Sequence, residues 1–155
     1  MPFFIMERFV EINENINIGK SGENDLIADL FIPPKEYANG RAVVLVHGGG
    51  WREGDKEQLR GYGILLSREG FTCLCTSYRL SQEEVWPAQI QDVKCAIRYI
   101  RANSEELNIN PERIGVSGNS AGGHLSLMAG LKSYDAKFDG EGGHGHVSSE
   151  VKAVC

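Results

Sequence analysis

Arg113-Ile114-Gly115-Val116-Ser117-Gly118-Asn119-Ser120-Ala121-Gly122-Gly123-His124-Leu125 is the stretch on which the reading of this chain turns. Pro111 bounds it upstream, Arg113 to Ser117 has the composition of a short buried strand, and Leu125, Met128, Ala129 and Leu131 recur at helical spacing as far as Lys132. Strand, tight turn and helix form the context in which Gly118-Asn119-Ser120-Ala121-Gly122 reads as a nucleophile elbow. Glycines two residues before and after the serine remove Cβ atoms that would clash in a sharp turn. The Ser120 hydroxyl then stands clear at the carboxyl end of the strand. Behind it, the first turn of the helix offers unpaired N–H groups and the positive end of a dipole. Both favour the negative charge that develops when an acyl carbonyl is attacked.

The pentapeptide pattern alone is weak evidence, since composition places it in about one chain in twenty of this length. A second stretch decides the matter. His47-Gly48-Gly49-Gly50-Trp51 follows directly on the apolar run Ala42-Val43-Val44-Leu45-Val46. Its chance occurrence is below about one chain in 10⁴. Glycines leaving a strand offer backbone N–H donors that no side chain obstructs, which is what an oxyanion hole requires.

Here the chain resembles the α/β-hydrolase esterases and lipases, in the branch with hormone-sensitive-lipase-like and bifunctional feruloyl and acetylxylan esterase-like proteins. The resemblance rests on Val46 to Trp51, Tyr78-Arg79-Leu80, Trp86-Pro87-Ala88, Gln91 to Arg101, Arg113 to Val116 and Gly118 to Leu125, in that order and spacing. It covers about residues 20 to 155. It implies an α/β-hydrolase fold: a mostly parallel sheet flanked by helices, with antiparallel N-terminal strands. It further implies Ser120 as nucleophile and the N–H groups of Gly49, Gly50 and Ala121 as oxyanion donors. Trp51 and Trp86 are candidates for the substrate cleft, although core or exposed aromatics would look the same.

Composition agrees and decides little else. A chain of 155 residues, 41% hydrophobic, can bury a real core. A net charge of −5 argues against nucleic acid and anionic membranes as partners. Phe3-Phe4-Ile5-Met6 is too short and lacks the basic flank of a secretory leader, and no transmembrane run is present. Cys73 and Cys75 alternate on one strand, Cys95 falls on a helix and Cys155 is terminal, so reduced thiols in a cytoplasmic protein are expected. No metal-ligand spacing occurs, and the chemistry read here calls for no metal or cofactor.

Taken in order, residues 7 to 18 alternate loosely and Asp25 to Ile32 alternate well, as paired antiparallel edge strands would. Ala42 to Val46 reads as a strand covered on both faces. Leu59, Tyr62, Leu65 and Leu66 predict the inward stripe of a helix from Lys56 to Glu69, with Gly70 just past its end. Phe71 to Tyr78 is the next strand. Pro87 then suits a first helical turn, and Ile90, Val93, Ile97 and Ile100 a stripe packed on a sheet. Strands alternating with helices indicate α/β. Residues 139 to 145 are glycine-rich and read as a loop.

A serine hydroxyl needs a base within hydrogen-bond reach and a third group to orient it, and in this fold both follow the nucleophile in sequence. After Ser120 the histidines are His124, His144 and His146 and the aspartates Asp135 and Asp139. The resemblance makes His124 a packing residue. A helix to Lys132 carries the chain about 18 Å from the elbow. A loop over residues 133 to 149 would have to climb back and descend again to place His144 or His146 near the serine. His47 reads as fixing its loop rather than as a base, and Asp92 as a structural ion-pair partner. The resemblance therefore implies the front part of a hydrolase, a single incomplete domain over residues 1–155 without the carboxyl-terminal strands, whose open sheet edge would pair with another copy. Two functions stand. One is a serine hydrolase of small or carbohydrate-linked acyl esters, with amidase or peptidase action open to the same motifs. The other is an inactive or binding-only unit.

Overall fold

The computed structural model describes residues 8–155. The run Phe3 to Met6, too short for a secretory leader by its sequence, lies outside them. Nine regular elements follow one another: β1 (Glu11–Ser21), β2 (Asn24–Ile32), β3 (Arg41–Val46), α1 (Arg60–Arg68), β4 (Phe71–Thr76), α2 (Ala88–Ala102), β5 (Ile114–Gly118), α3 (Ala121–Leu131) and β6 (Ala153–Val154), with a 3₁₀ turn over Lys56–Leu59 before α1. The strands form one sheet in the order β1-β2-β4-β3-β5-β6. β1 and β2 are antiparallel to their neighbours, and β4, β3, β5 and β6 run parallel. This is the α/β-hydrolase arrangement expected from the sequence.

The loose alternation of β1 has a physical cause. Its register with β2 shifts between Asn13 and Ile16 and again between Asn17 and Gly19, and each irregularity resets which side chains face inward. Between the sheet and the α2/α3 layer lies the larger core, where Ile90, Val93, Ile97 and Ile100 of α2 are all fully buried, as the stripe predicts. A smaller cluster of Phe31, Leu45, Leu59, Cys73 and Cys75 fills the α1 side.

Two helix faces differ from expectation. On α1, Tyr62 and Leu65 are exposed, while Gly63 and Ser67 face the sheet. The 3₁₀ turn changes the phase, and small residues are needed inside because α1 lies close: a methyl group on Gly63 would come within 3.0 Å of the Phe31 ring. On α3, Leu125 and Ala129 are buried as expected, but Leu131 is 67% exposed.

The segment after α3 makes the climb that chain length permits, along α2 instead of over the elbow. Lys94 donates to the Ser133 carbonyl at 2.9 Å and pairs with Asp139 at 2.5 Å, and Phe138 is buried with its ring 5.8 Å from that of Trp86. The chain then descends the same helix. Arg98 Nε donates to the Gly143 carbonyl at 2.9 Å, and Arg101 holds the carbonyls of Ser148 and Glu150. Donors at positions 94, 98 and 101 of one helix face thus secure a glycine-rich loop through its own backbone.

Candidate active site

The register of β3 against β5 sets Val46 opposite Gly118, so the segments leaving the two strands emerge side by side. Ser120 occupies the turn into α3 with φ 53° and ψ −119°, a conformation that L-residues rarely adopt, and its side chain is exposed. The flanking glycines are required by contact as well as by curvature. A methyl group on Gly118 would lie 2.5 Å from the Gly122 backbone, and one on Gly122 would lie 2.0 Å from the Val46 carbonyl oxygen. The start of α3 is pressed directly onto the end of β3.

The loop after β3 has its carbonyls tied down. The His47 carbonyl accepts from Tyr78 Oη at 3.1 Å, and the Gly48 carbonyl from His47 Nδ1 at 2.7 Å. The Gly49 carbonyl accepts from the N–H groups of Arg52 and Glu53, that of Trp51 from the N–H of Ser81, and that of Arg52 from Gln82 Nε2. Among the described residues, no protein acceptor takes the N–H groups of Gly49, Gly50 or Ala121. A peptide plane held by its oxygen presents its N–H in a fixed direction, so the Gly48–Gly49 and Gly49–Gly50 peptides offer two oriented donors. A methyl group on Gly48 would lie 3.3 Å from the Ser120 Cβ, which measures how closely loop and elbow approach. An open cleft of about 750 Å³ is lined by Gly49, Gly50, Arg52, Glu53, Gln82 and Ser120.

His47 is buried and stacked on Tyr78, with ring centroids 4.1 Å apart and planes within 5°. Its Nδ1 must carry the proton to donate to Gly48, and Nε2 is buried without a partner. Burial lowers its pKa below the usual imidazole value. Burial also pushes the Tyr78 hydroxyl up to about 12, which keeps it a donor. Arg79 grips Asp92 through Nε and Nη2 while its backbone N–H bonds the same carboxylate at 2.9 Å. The pair secures the exit of β4, the structural role expected of Asp92.

Trp51 and Trp86 meet at His124, one helical turn beyond Ser120. The imidazole lies 5.3 Å from the Trp51 ring, edge-on, and 5.9 Å from that of Trp86. His124 packs between the two indole rings, as the resemblance implied, and is itself exposed. Arg52, Glu53 and Gln82 line the cleft itself, and sequence reasoning missed all three. Arg52 and Glu53 adjoin the glycine run in sequence, whereas Gln82 arrives from a separate segment and carries no such signal.

Among the described residues no histidine or carboxylate is hydrogen-bonded to Ser120. His144 Nε2 bonds the Ile18 carbonyl at 3.1 Å, and His146 stands beside His144. Ile18 belongs to β1, four strands from β5 in the sheet order, or roughly 19 Å at ordinary strand spacing. The same residues contain no group of three or more histidines, cysteines or acids placed to hold a metal ion, and no helix long and apolar enough to cross a membrane. Cys73, Cys75 and Cys95 are free and buried, and burial pushes the first two thiols up to about 12 and the third to about 11. Cys155 is free and exposed.

Comparison with known proteins agrees with this geometry. A family model described as BD-FAE matches residues 28–155. Esterase LipC of Mycobacterium tuberculosis is 40% identical over 101 residues, which are 64% of this chain and 25% of that protein. A truncated form of a carbohydrate esterase from gut microbiota superposes with a TM-score of 0.81 at 33% identity, covering 93% of this chain and 55% of that one. The butyrate-bound esterase Est2 of the planctomycete Thermogutta terrifontis gives 0.76 at 27% identity, covering 91% and 51%. The chain thus spans about half the length of these solved esterases.

Proposed function

The chain belongs to the BD-FAE family of α/β-hydrolase esterases, and from that membership we propose that it acts as a serine carboxylic-ester hydrolase on small or carbohydrate-linked acyl esters. One observation carries the reading: an exposed Ser120, held in a strained turn, shares a cleft with Gly49 and Gly50, whose N–H groups have no protein acceptor among the described residues. Ser120 Oγ attacks the ester carbonyl carbon while its proton passes to water or to a base supplied from elsewhere, which then delivers a proton to the departing alcohol oxygen. The carbonyl oxygen takes the negative charge against the N–H groups of Gly49, Gly50 and Ala121, and collapse of this intermediate expels the alcohol. Water then cleaves the acyl-serine to release the acid. Butyrate in a structural relative supports a short acyl group, and a carbohydrate esterase among the neighbours supports a sugar-linked alcohol. Trp51 and Trp86, joined through His124, form an apolar wall beside the elbow for the acyl or alcohol part. Buried free thiols support a cytoplasmic setting.

The absence of a histidine at Ser120 among the described residues favours a second reading, a unit that binds esters and turns over only with a base supplied from elsewhere. A fluorophosphonate and an activated short-chain ester distinguish the two. Intact-mass analysis and peptide mapping should place a single phosphonyl group on Ser120, and Ser120→Ala should abolish it. Labelling at another residue, or labelling that survives the substitution, overturns the assignment. An acyl-enzyme burst with negligible later turnover supports the second reading.

A further inference from the structure

The Gly48 N–H is the one amide of the first two glycines with a protein acceptor, and that acceptor comes from outside the glycine run. Gln58 Oε1, in the 3₁₀ turn Lys56–Leu59, accepts it at 2.7 Å. The turn is itself anchored to the sheet. Lys56 Nζ lies 3.0 Å from a carboxylate oxygen of Asp29 on β2, where Asp29 is fully buried. The Lys56 N–H donates to Ser77 Oγ at 3.1 Å, and Asp55 caps the turn by accepting from the Glu57 N–H at 2.8 Å. A strut therefore runs from the core of β2 through Lys56 and Gln58 to the peptide between His47 and Gly48. Tyr78 Oη holds the oxygen of that same peptide. With both ends fixed, its plane cannot rotate, and the next two peptides begin from a set direction.

We propose that Gln58 is a positioning residue for this site, which aims the Gly49 and Gly50 N–H groups at the oxygen of the reacting carbonyl by clamping the Gly48 N–H. The inference rests on the ester-hydrolase reading for its functional consequence only. Its structural premise can be tested without activity. Gln58 touches no reacting atom, so its loss should alter the chemical step and leave ground-state binding alone.

The test compares Gln58→Leu, which removes the acceptor, with Gln58→Glu, which keeps an oxygen in place. Amide hydrogen exchange at Gly48, read by NMR on the 155-residue chain, should accelerate roughly five- to tenfold in Gln58→Leu, the factor carried by one hydrogen bond. It should stay near wild type in Gln58→Glu. Phosphonylation of Ser120 should show a maximal rate lowered by a similar factor in Gln58→Leu with the half-saturating concentration unchanged, and Gln58→Glu should restore the rate. Unchanged Gly48 exchange in Gln58→Leu overturns the proposal. So does an equal loss of rate in both variants, because a packing role would not distinguish them. If wild-type Ser120 takes no label, the hydrolase reading fails, and the exchange measurement alone decides whether the strut exists.

Discussion

Gly122 sits against Val46 so closely that a Cβ on the glycine would lie 2.0 Å from the Val46 carbonyl oxygen. No rotamer change relieves a clash with backbone, so the start of α3 would have to lift off β3. Gly122→Ala should therefore destabilise the fold by about 3 kcal/mol or more, at the upper end for overpacking. Gly49→Ala should be comparably disruptive, since its φ is +119° and a methyl group there would meet the Glu53 carbonyl at 2.0 Å. Gly50 has open space around it and a φ of +58°, so Gly50→Ala should lose only about 1–2 kcal/mol from left-handed strain. Urea unfolding of the three variants checks the order. Gly50 is accordingly the better position for testing an oxyanion role, because the fold survives there. A bulky residue at Gly50 should lower turnover and leave the Michaelis constant nearly unchanged.

Strain at Ser120 predicts a stability gain when function is removed in a particular way. Ser120→Ala and Ser120→Gly both delete the hydroxyl, but only glycine accepts φ 53° and ψ −119° without cost. Ser120→Gly should be the more stable by about 1–3 kcal/mol. Equal stabilities would mean that the turn relaxes when the hydroxyl is lost.

The sequence carried the site's backbone better than its side-chain surroundings, for physical reasons. Positions where only glycine fits, such as Gly118, Gly122 and Gly49, leave a direct mark in the chain, and so do the fully buried Ile90, Val93, Ile97 and Ile100. The face of α1 was misread because close packing put Gly63 and Ser67 inward, which inverts the usual hydrophobic pattern. His124, Arg52 and Gln82 depend on where separate segments converge, and periodicity carries no information about that. The path of residues 133–149 was legible as a length limit only. Lys94, Arg98 and Arg101 choose the route by binding loop carbonyls, and a carbonyl has no sequence signature.

His47 should make stability depend on pH. Burial holds its folded pKa below the unfolded value of 6.5, so as pH falls through 6.5 the unfolded chain takes up a proton that the folded chain refuses. Its contribution is present above that pH and is lost as pH falls toward the folded pKa, with a slope of at most about 1.4 kcal/mol per pH unit for one proton. His47→Asn can keep a donor for the Gly48 carbonyl without titrating. Unfolding free energies measured between pH 7.5 and 5.5 should fall more steeply for wild type than for His47→Asn. Parallel curves would remove His47 as the cause.

Self-association is the last expectation, and two surfaces lead to it. Among the described residues β6 pairs with β5 alone, leaving its outer edge open, and unpaired strand edges recruit other strands. α3 adds an apolar surface. Leu127 and Leu131 are 55% and 67% exposed at i, i+4 spacing, although a helix apolar on every side is ordinarily buried. Sedimentation velocity at about 50 µM, within the range where exposed apolar surface drives association, should show species larger than one chain. The sources separate by substitution. Leu127→Lys with Leu131→Glu charges the helix face and leaves β6 alone, whereas Ala153→Glu, at an exposed position of β6, charges the strand edge and leaves the Val154 contact with α3 in place. The variant that restores a single-chain species identifies the surface. Wild type that sediments as a single chain at that concentration would show that neither surface suffices.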